Sequence, residues 1–175
     1  MNNNIIIIGA GGHGKVVAEA ILSQGKYDLL GFCDDATPPG TIVFGHYKII
    51  CNTSQIAHFD FDFFIVAIGN NETRKKIHEL LKQQHQGAIV IHPFTSISAQ
   101  AQIEPGSVVL PGAVVSYGAH VGENCIIGSN VHIDHETIIG SNSYIRNGSS
   151  IGSNVNVASE SYTNTGECIQ SFTQF

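Results

Sequence analysis

Branched apolar residues recur every six positions through the second half of the chain: Ile97, Ile103, Val109, Val115, Val121, Ile127, Ile133, Ile139, Ile145, Ile151 and Val157. This period matches neither the alternation of a flat strand nor the turn of an α-helix. A hexad does fit one side of a triangular coil, so three hexads complete one turn of a parallel β-helix, and this run makes a little under four turns. Four residues after each sits a smaller side chain (Ala101, Ser107, Ala113, Ala119, Cys125, Val131, Thr137, Ser143, Ser149, Val155, Ser161), as a second inward position in a narrow interior requires.

The third residue after each apolar one marks the corner, and it is Gly106, Gly112, Gly118, Asn124, Asn130, Asn142, Gly148 or Asn154. Glycine and asparagine tolerate positive φ. Gln100 and Glu160 break the column at its ends, and Glu136 breaks it in the middle. A long side chain at a corner that favours left-handed backbone points to strain retained for function, and its neighbour is His135. An ordinary surface turn carrying a histidine remains the competing reading. His120 and His132 take outward positions and read as structural. His120, His132, His135 and Cys125 show no pair spaced by whole coils, so no metal site is expected.

Charge divides the chain. Residues 1–96 carry 7 basic and 8 acidic side chains, whereas residues 97–175 carry 1 basic residue, Arg146, and 6 acidic ones. The break falls near His92-Pro93, which gives expected domains at 1–92, 93–162 and an irregular tail at 163–175. A net charge of −6 argues against a nucleic-acid partner. No apolar run approaches the roughly 20 residues that cross a bilayer, and Met1-Asn2-Asn3-Asn4 has no basic start, so no membrane association and a cytoplasmic chain are expected. The four cysteines (Cys33, Cys51, Cys125, Cys168) contain no CxxC pair and read mostly as buried thiols.

The first half reads as a small α/β unit. Ile5–Ile8 is a buried parallel strand, then Gly9-Ala10-Gly11-Gly12-His13-Gly14 leads into a helical stretch from Lys15 to Leu22. Gly9, Gly11 and Gly14 fit GxGxxG, in which missing β-carbons let a phosphate approach the backbone N–H groups at a helix start. A second strand, Leu29–Cys33, ends at Asp34-Asp35, where a carboxylate suits a ribose or a base; the spacing also suits NAD. A third, Phe63–Ile68, ends at Gly69-Asn70-Asn71, and Asn71 is expected to cap a helix over 72–84 with Ile77, Leu80 and Leu81 inward and Arg74, Lys75 and Lys76 in solvent. Ala88–Ile91 reads as the last of four or five strands.

Taken together, the GAGGHG loop with Lys15 behind it, Gly31-Phe32-Cys33-Asp34-Asp35, Ala67-Ile68-Gly69-Asn70 and a hexapeptide repeat bearing Asp134-His135-Glu136 resemble the sialic acid O-acetyltransferase and bacillosamine-type UDP-amino-sugar N-acetyltransferase family. The resemblance covers about residues 4–158. It implies an α/β Rossmann-like small parallel-sheet domain followed by a left-handed parallel β-helix, assembled as a homotrimer. It implies a nucleotide-linked sugar held by the N-terminal unit, with acetyl-CoA as co-substrate between neighbouring β-helices. Gly11, Gly12 and His13 match the family's phosphate and sugar loop, Asp34 and Asp35 its uridine-binding pair, and Gly69 and Asn70 a further part of the sugar site. His135 matches the catalytic base and Glu136 the carboxylate beside it. Tyr144 stands where the family often has a second histidine near the thioester, and Gly148 and Gly152 match glycines near the cofactor groove.

The implied chemistry suits these residue types, because an amine attacking a thioester must lose a proton and histidine accepts one near neutral pH. After Val157 the period lapses at Thr163, and the tail from Ser159 stops where members of the family continue with more coils. The expected activity is acetyl transfer to the amino group of a UDP-linked amino sugar. O-acetylation of a sialic-type sugar and a non-catalytic trimeric sugar-nucleotide binder are the alternatives, and an NAD-dependent oxidoreductase is a third.

Overall fold

The computed structural model describes residues 3–175; Met1 and Asn2, at the start of the expected first domain, lie outside the described residues. Strands β1 (Asn4–Ile8), β2 (Asp28–Cys33), β3 (Ile42–Phe44), β4 (Tyr47–Cys51), β5 (Phe63–Val66) and β6 (Gln86–Gly87) form one sheet in the order β3-β4-β2-β1-β5-β6. All neighbours are parallel except the β3–β4 hairpin. β1 lies centrally, and its four isoleucines divide by the period-2 rule: Ile5 and Ile7 pack against helix α1 (Gly12–Gln24), Ile6 and Ile8 into the core on the other side, with Leu81 of helix α2 (Asn71–Leu81). The unit thus has six strands where the sequence suggested four or five.

The second half coils. Its strands fall on three faces: a first with Val90–Ile91, Val108–Val109, Ile126–Ile127 and Tyr144–Ile145; a second with Ser96–Ile97, Val114–Val115, His132–Ile133, Ser150–Ile151 and Cys168–Ile169; and a third with Gln102–Ile103, His120–Val121, Ile138–Ile139 and Asn156–Val157. Each strand pairs in parallel with the residue 18 positions on, as Val109 with Ile127 and Ile127 with Ile145. The hexad column fills the lumen: Ile127, Ile133, Ile139, Ile145 and Ile151 have no exposed surface. Each such side chain contributes about 1.5–3 kcal/mol by burial. The smaller inward residues include hydroxyls whose bonds are met by the next coil. Ser107 Oγ donates to Gly122 O and accepts from Cys125 N, and Thr137 Oγ1 does the same with Gly152 O and Val155 N.

Three sequence expectations change. Val90–Ile91 pairs with Val108–Val109 and opens the coil, so the sheet ends at Gly87; Ile91 is simply one more member of the hexad column. The irregular tail expected at 163–175 instead continues the coil. Thr163 is fully buried, Ile169 follows it in the lumen, and Gly166 and Phe172 hold the positive-φ corners. A threonine is admissible there because its Oγ1 accepts from Arg146 N at 2.8 Å and lies 3.0 Å from Ser149 Oγ. Finally, α2 spans Asn71–Leu81 and is capped by Asn70, whose side chain accepts from Thr73 N at 2.9 Å. Leu80 is exposed, and Arg74, expected in solvent, is only 1% exposed.

Candidate active site

The N-terminal unit docks on the first face and on the corner that precedes it. Val90, Val108 and Ile126 point outward from that face and share one apolar core with Val17, Ala18 and Ile21 of α1. The Tyr27 hydroxyl joins the same seam, accepting from Ile89 N at 3.2 Å. At the corner, Arg74 Nε donates to Asn124 O at 3.0 Å and Nη2 to Asn142 O at 2.7 Å, while Nη1 donates to Ile68 O at 3.1 Å. Burial lowers the Arg74 guanidinium to about 10. Its Nη2 also holds Asn71 Oδ1 at 2.8 Å, and Asn71 Nδ2 in turn donates to Glu160 O and Ser161 O. Sequence reasoning missed Arg74, because a run of three basic residues looks like a solvated face. The signal available was the complementary stripe, Val108, Ile126 and Tyr144, apolar or aromatic at every third hexad on the outside of one face.

Within this docked unit the ends of β1 and β5 open a crevice. Gly9 has φ +102, and a β-carbon at Gly14 would stand 2.1 Å from Gly9 O, so both are fixed by the turn itself. Gly11 and Gly12 face open space, and no side chain caps α1. The first-turn N–H groups are therefore offered outward with the positive end of the helix. Asp34 braces the loop: Oδ2 accepts from Ala10 N at 2.9 Å, and Oδ1 from Ala36 N and Thr37 N. Partial burial by itself raises the Asp34 carboxyl, but these donors outweigh it and hold it below the ordinary carboxylate value. Asp35 accepts from Thr53 N at 2.7 Å and from the Thr53 hydroxyl.

His13 leaves the loop toward the coil and stacks on Tyr144, with ring centroids 6.2 Å apart. Its Nε2 is buried without a hydrogen-bond partner. Burial, then the charge of Arg74, lowers His13 to about 4, so the ring is neutral at physiological pH. A β-carbon on Gly69 would sit 3.8 Å from Tyr144 Cε1. The structure therefore gathers His13, Gly69, Asn70 and Tyr144 in one place, beside Gly11 and Gly12.

His135 and Glu136 lie elsewhere in the same chain. They form the corner between the second and third faces, across the triangular section from the first face and its docked unit. His135 Nδ1 and Glu136 Oε2 are 3.9 Å apart, and both side chains are more than half exposed. Glu136 has φ +55, and its N donates to Tyr117 O at 2.9 Å, so the glutamate does occupy the left-handed corner. Tyr144, Gly148 and Gly152 do not converge: Tyr144 is on the first face, Gly148 on the corner after it, and Gly152 beyond the second face, where a β-carbon would meet Ser171 N at 2.6 Å. His120 pairs with Glu104 at 3.2 Å on the third face, His132 lies on the second, and Cys125 points into the lumen. Among the described residues no group of three or more metal-ligating side chains occurs, and no helix is long and apolar enough to cross a membrane.

Comparison with known proteins matches this architecture in both halves. Residues 4–81 match the PglD N-terminal domain, and residues 118–153 match the bacterial transferase hexapeptide (six repeats). Over 119 residues, 61% of this chain, the sequence is 30% identical to UDP-N-acetylbacillosamine N-acetyltransferase of Bacillus subtilis; the match spans about half of that relative, 51% of its length. The acetyltransferase domain of PglB from Neisseria gonorrhoeae superposes with a TM-score of 0.79 at 28% identity, covering 99% of this chain and 88% of that one. Perosamine N-acetyltransferase from Caulobacter crescentus, solved with CoA and GDP-perosamine, shares the fold at 19% identity, with a TM-score of 0.77 and coverage of 98% and 92%. The chain thus joins a PglD-type sheet unit to a coil of bacterial-transferase hexapeptide repeats, and along nearly its whole length it shares this two-part fold with the acetyltransferase domain of PglB.

Proposed function

We propose that the chain transfers the acetyl group of acetyl-CoA to the amino group of a nucleotide-linked amino sugar, UDP-linked in the simplest case. The observation that carries this reading is the crevice between β1 and β5, which presents an uncapped helix start and two unobstructed glycines to one ligand, with the buried His13 ring, whose Nε2 has no partner, lying just behind them. Such donors suit a diphosphate and its sugar. Gly11, Gly12, His13, Gly69 and Asn70 line the acceptor site. Asp34 shapes the loop from behind, and Asp35 borders the nucleoside end.

His135 acts as general base. The sugar amine attacks the thioester carbonyl, His135 takes its proton, and the carbon–sulfur bond breaks as the tetrahedral intermediate collapses. The proton then passes to the departing CoA sulfur. Glu136, 3.9 Å from His135, orients the ring and balances the imidazolium charge. Because this pair lies across the coil from the crevice, the working site is built between copies of the chain, His135 of one facing the N-terminal unit of the next, as a homotrimer provides. Acetyl-CoA then lies along the groove between coils, near Gly148 and Gly152. The reading places the enzyme in the cytoplasm.

The test is CoA release from acetyl-CoA and a UDP-linked 4-amino sugar, run beside His135→Ala. Turnover that falls at least about 10²-fold in the variant supports the reading. Binding of the sugar nucleotide without any binding of CoA favours a non-catalytic binder instead.

A further inference from the structure

The outward positions of the first face run Val90, Val108, Ile126, Tyr144 and Tyr162, the last held by a bridge to Tyr144. The docked sheet unit covers the first three, and Tyr144 packs against the edge of that core. Tyr162 runs past it: it is 49% exposed and lines a crevice of about 490 Å³ with Gly69, Asn70, Asn71 and Glu72. Its ring meets Tyr144 edge to face at 5.6 Å, and Tyr144 stacks on His13. The aromatic wall is therefore continuous with the side chain whose Nε2 lacks a partner.

Arg146 is fastened to this wall. Its Nη1 donates to the Tyr162 hydroxyl at 2.8 Å, and its guanidinium carbon lies 5.5 Å from the ring centre. It is the sole basic residue after position 96, and among the described residues no carboxylate pairs with it. Glu72, the acidic residue of the crevice, is already held by Lys76 at 2.7 Å. A tethered arginine with unused N–H donors is pre-organised for a phosphate. The negative face of a half-open aromatic ring suits the C–H edge of a pyranose.

We propose that Tyr162 and Arg146 form a sugar-diphosphate subsite for the acceptor, the tyrosine as the face on which the pyranose stacks and the arginine as partner of the diphosphate. This inference rests on the nucleotide-sugar reading above and extends it to two residues outside the GGHG loop.

The experiment is calorimetric titration of the full chain, Tyr162→Ala, Tyr162→Leu and Arg146→Met with UDP, a UDP-linked 4-amino sugar and CoA, with a thermal melt on each variant. Both tyrosine variants are expected to weaken the sugar nucleotide about tenfold and UDP by a smaller factor, since the stacking face is lost outright while Arg146 keeps its charge but loses its tether. Arg146→Met is expected to weaken UDP and the sugar nucleotide alike by about tenfold, with Arg146→Lys recovering part of it. CoA affinity stays the same throughout. Wild-type binding of the sugar nucleotide with unchanged affinities in folded variants overturns the subsite, as does a loss confined to CoA. A wild-type chain that binds neither UDP nor the sugar nucleotide overturns the acceptor reading itself.

Discussion

Arg74 Nη2 donates to the main-chain carbonyl of Asn142 at 2.7 Å, a bond that crosses from the sheet unit into the coil. The same guanidinium reaches Asn124 O, one coil earlier at the same corner. Removing it strands carbonyls that are already buried, each at a cost of about 1–3 kcal/mol. Arg74→Met is therefore expected to destabilise the fold by about 3 kcal/mol or more, and Arg74→Lys by less, because a lysine keeps the charge but not the fork. Urea unfolding measures both. A loss under about 1 kcal/mol for the methionine variant contradicts the role given to this residue.

Glu136 sits at φ +55, where a non-glycine residue costs about 1–2 kcal/mol. Glu136→Gly is expected to raise stability by about 1 kcal/mol while lowering turnover at least tenfold. A melt and an initial-rate assay on the same preparation decide it. A glycine variant that is less stable means the glutamate serves the fold.

Folding lowers His13 to about 4, with burial first and the charge of Arg74 second, and it lowers His78 mainly through burial. Both residues take up protons more readily in the unfolded chain, so stability is full above about pH 6.5 and falls as the pH drops toward 4. For His13 alone the difference amounts to about 3 kcal/mol. Urea midpoints between pH 7.5 and 4.5 are expected to fall steadily, and His13→Gln is expected to flatten the slope. An unchanged slope in that variant removes His13 from the account.

Cys168–Ile169 pairs with Ser150–Ile151, and Tyr162 bridges to Tyr144. Ending the chain after Tyr162 uncovers the Ser150–Ile151 strand edge and the lumen side of Ile145 and Ile151. Association follows from exposed edges of this kind. The shortened chain is expected to show a lower Tm and growth in light scattering. A monodisperse sample with the parental Tm argues that the last coil is dispensable.

The coil could be read from sequence almost residue by residue, because the lumen admits one branched side chain per hexad and the corner demands positive φ. Glu136 broke that demand and could be noticed for the same reason. Thr163 was misjudged because its inward fitness depends on a hydroxyl finding Arg146 N and Ser149 Oγ, which no period displays. Arg74 was misjudged because its partners are carbonyls of residues 50 and 68 positions away, and carbonyls leave no mark on composition. The GGHG loop was legible as an anion site. That Asp34 is engaged by Ala10, Ala36 and Thr37 was not, since a carboxylate bracing its own loop and one awaiting a ligand look alike in a string of letters.

The docking stripe of Val108, Ile126, Tyr144 and Tyr162 repeats every 18 residues because that is one circuit of the coil. Inserting or deleting a single hexad between Val108 and Tyr144 would preserve every inward contact yet turn all later residues by a third of a circuit. Tyr144 and Tyr162 would then face away from His13, and the corner bearing His135 would swing with them. Descendants of this chain can grow or shrink there only by whole circuits, so length variation in the repeat is quantised by the partner it carries on its flank.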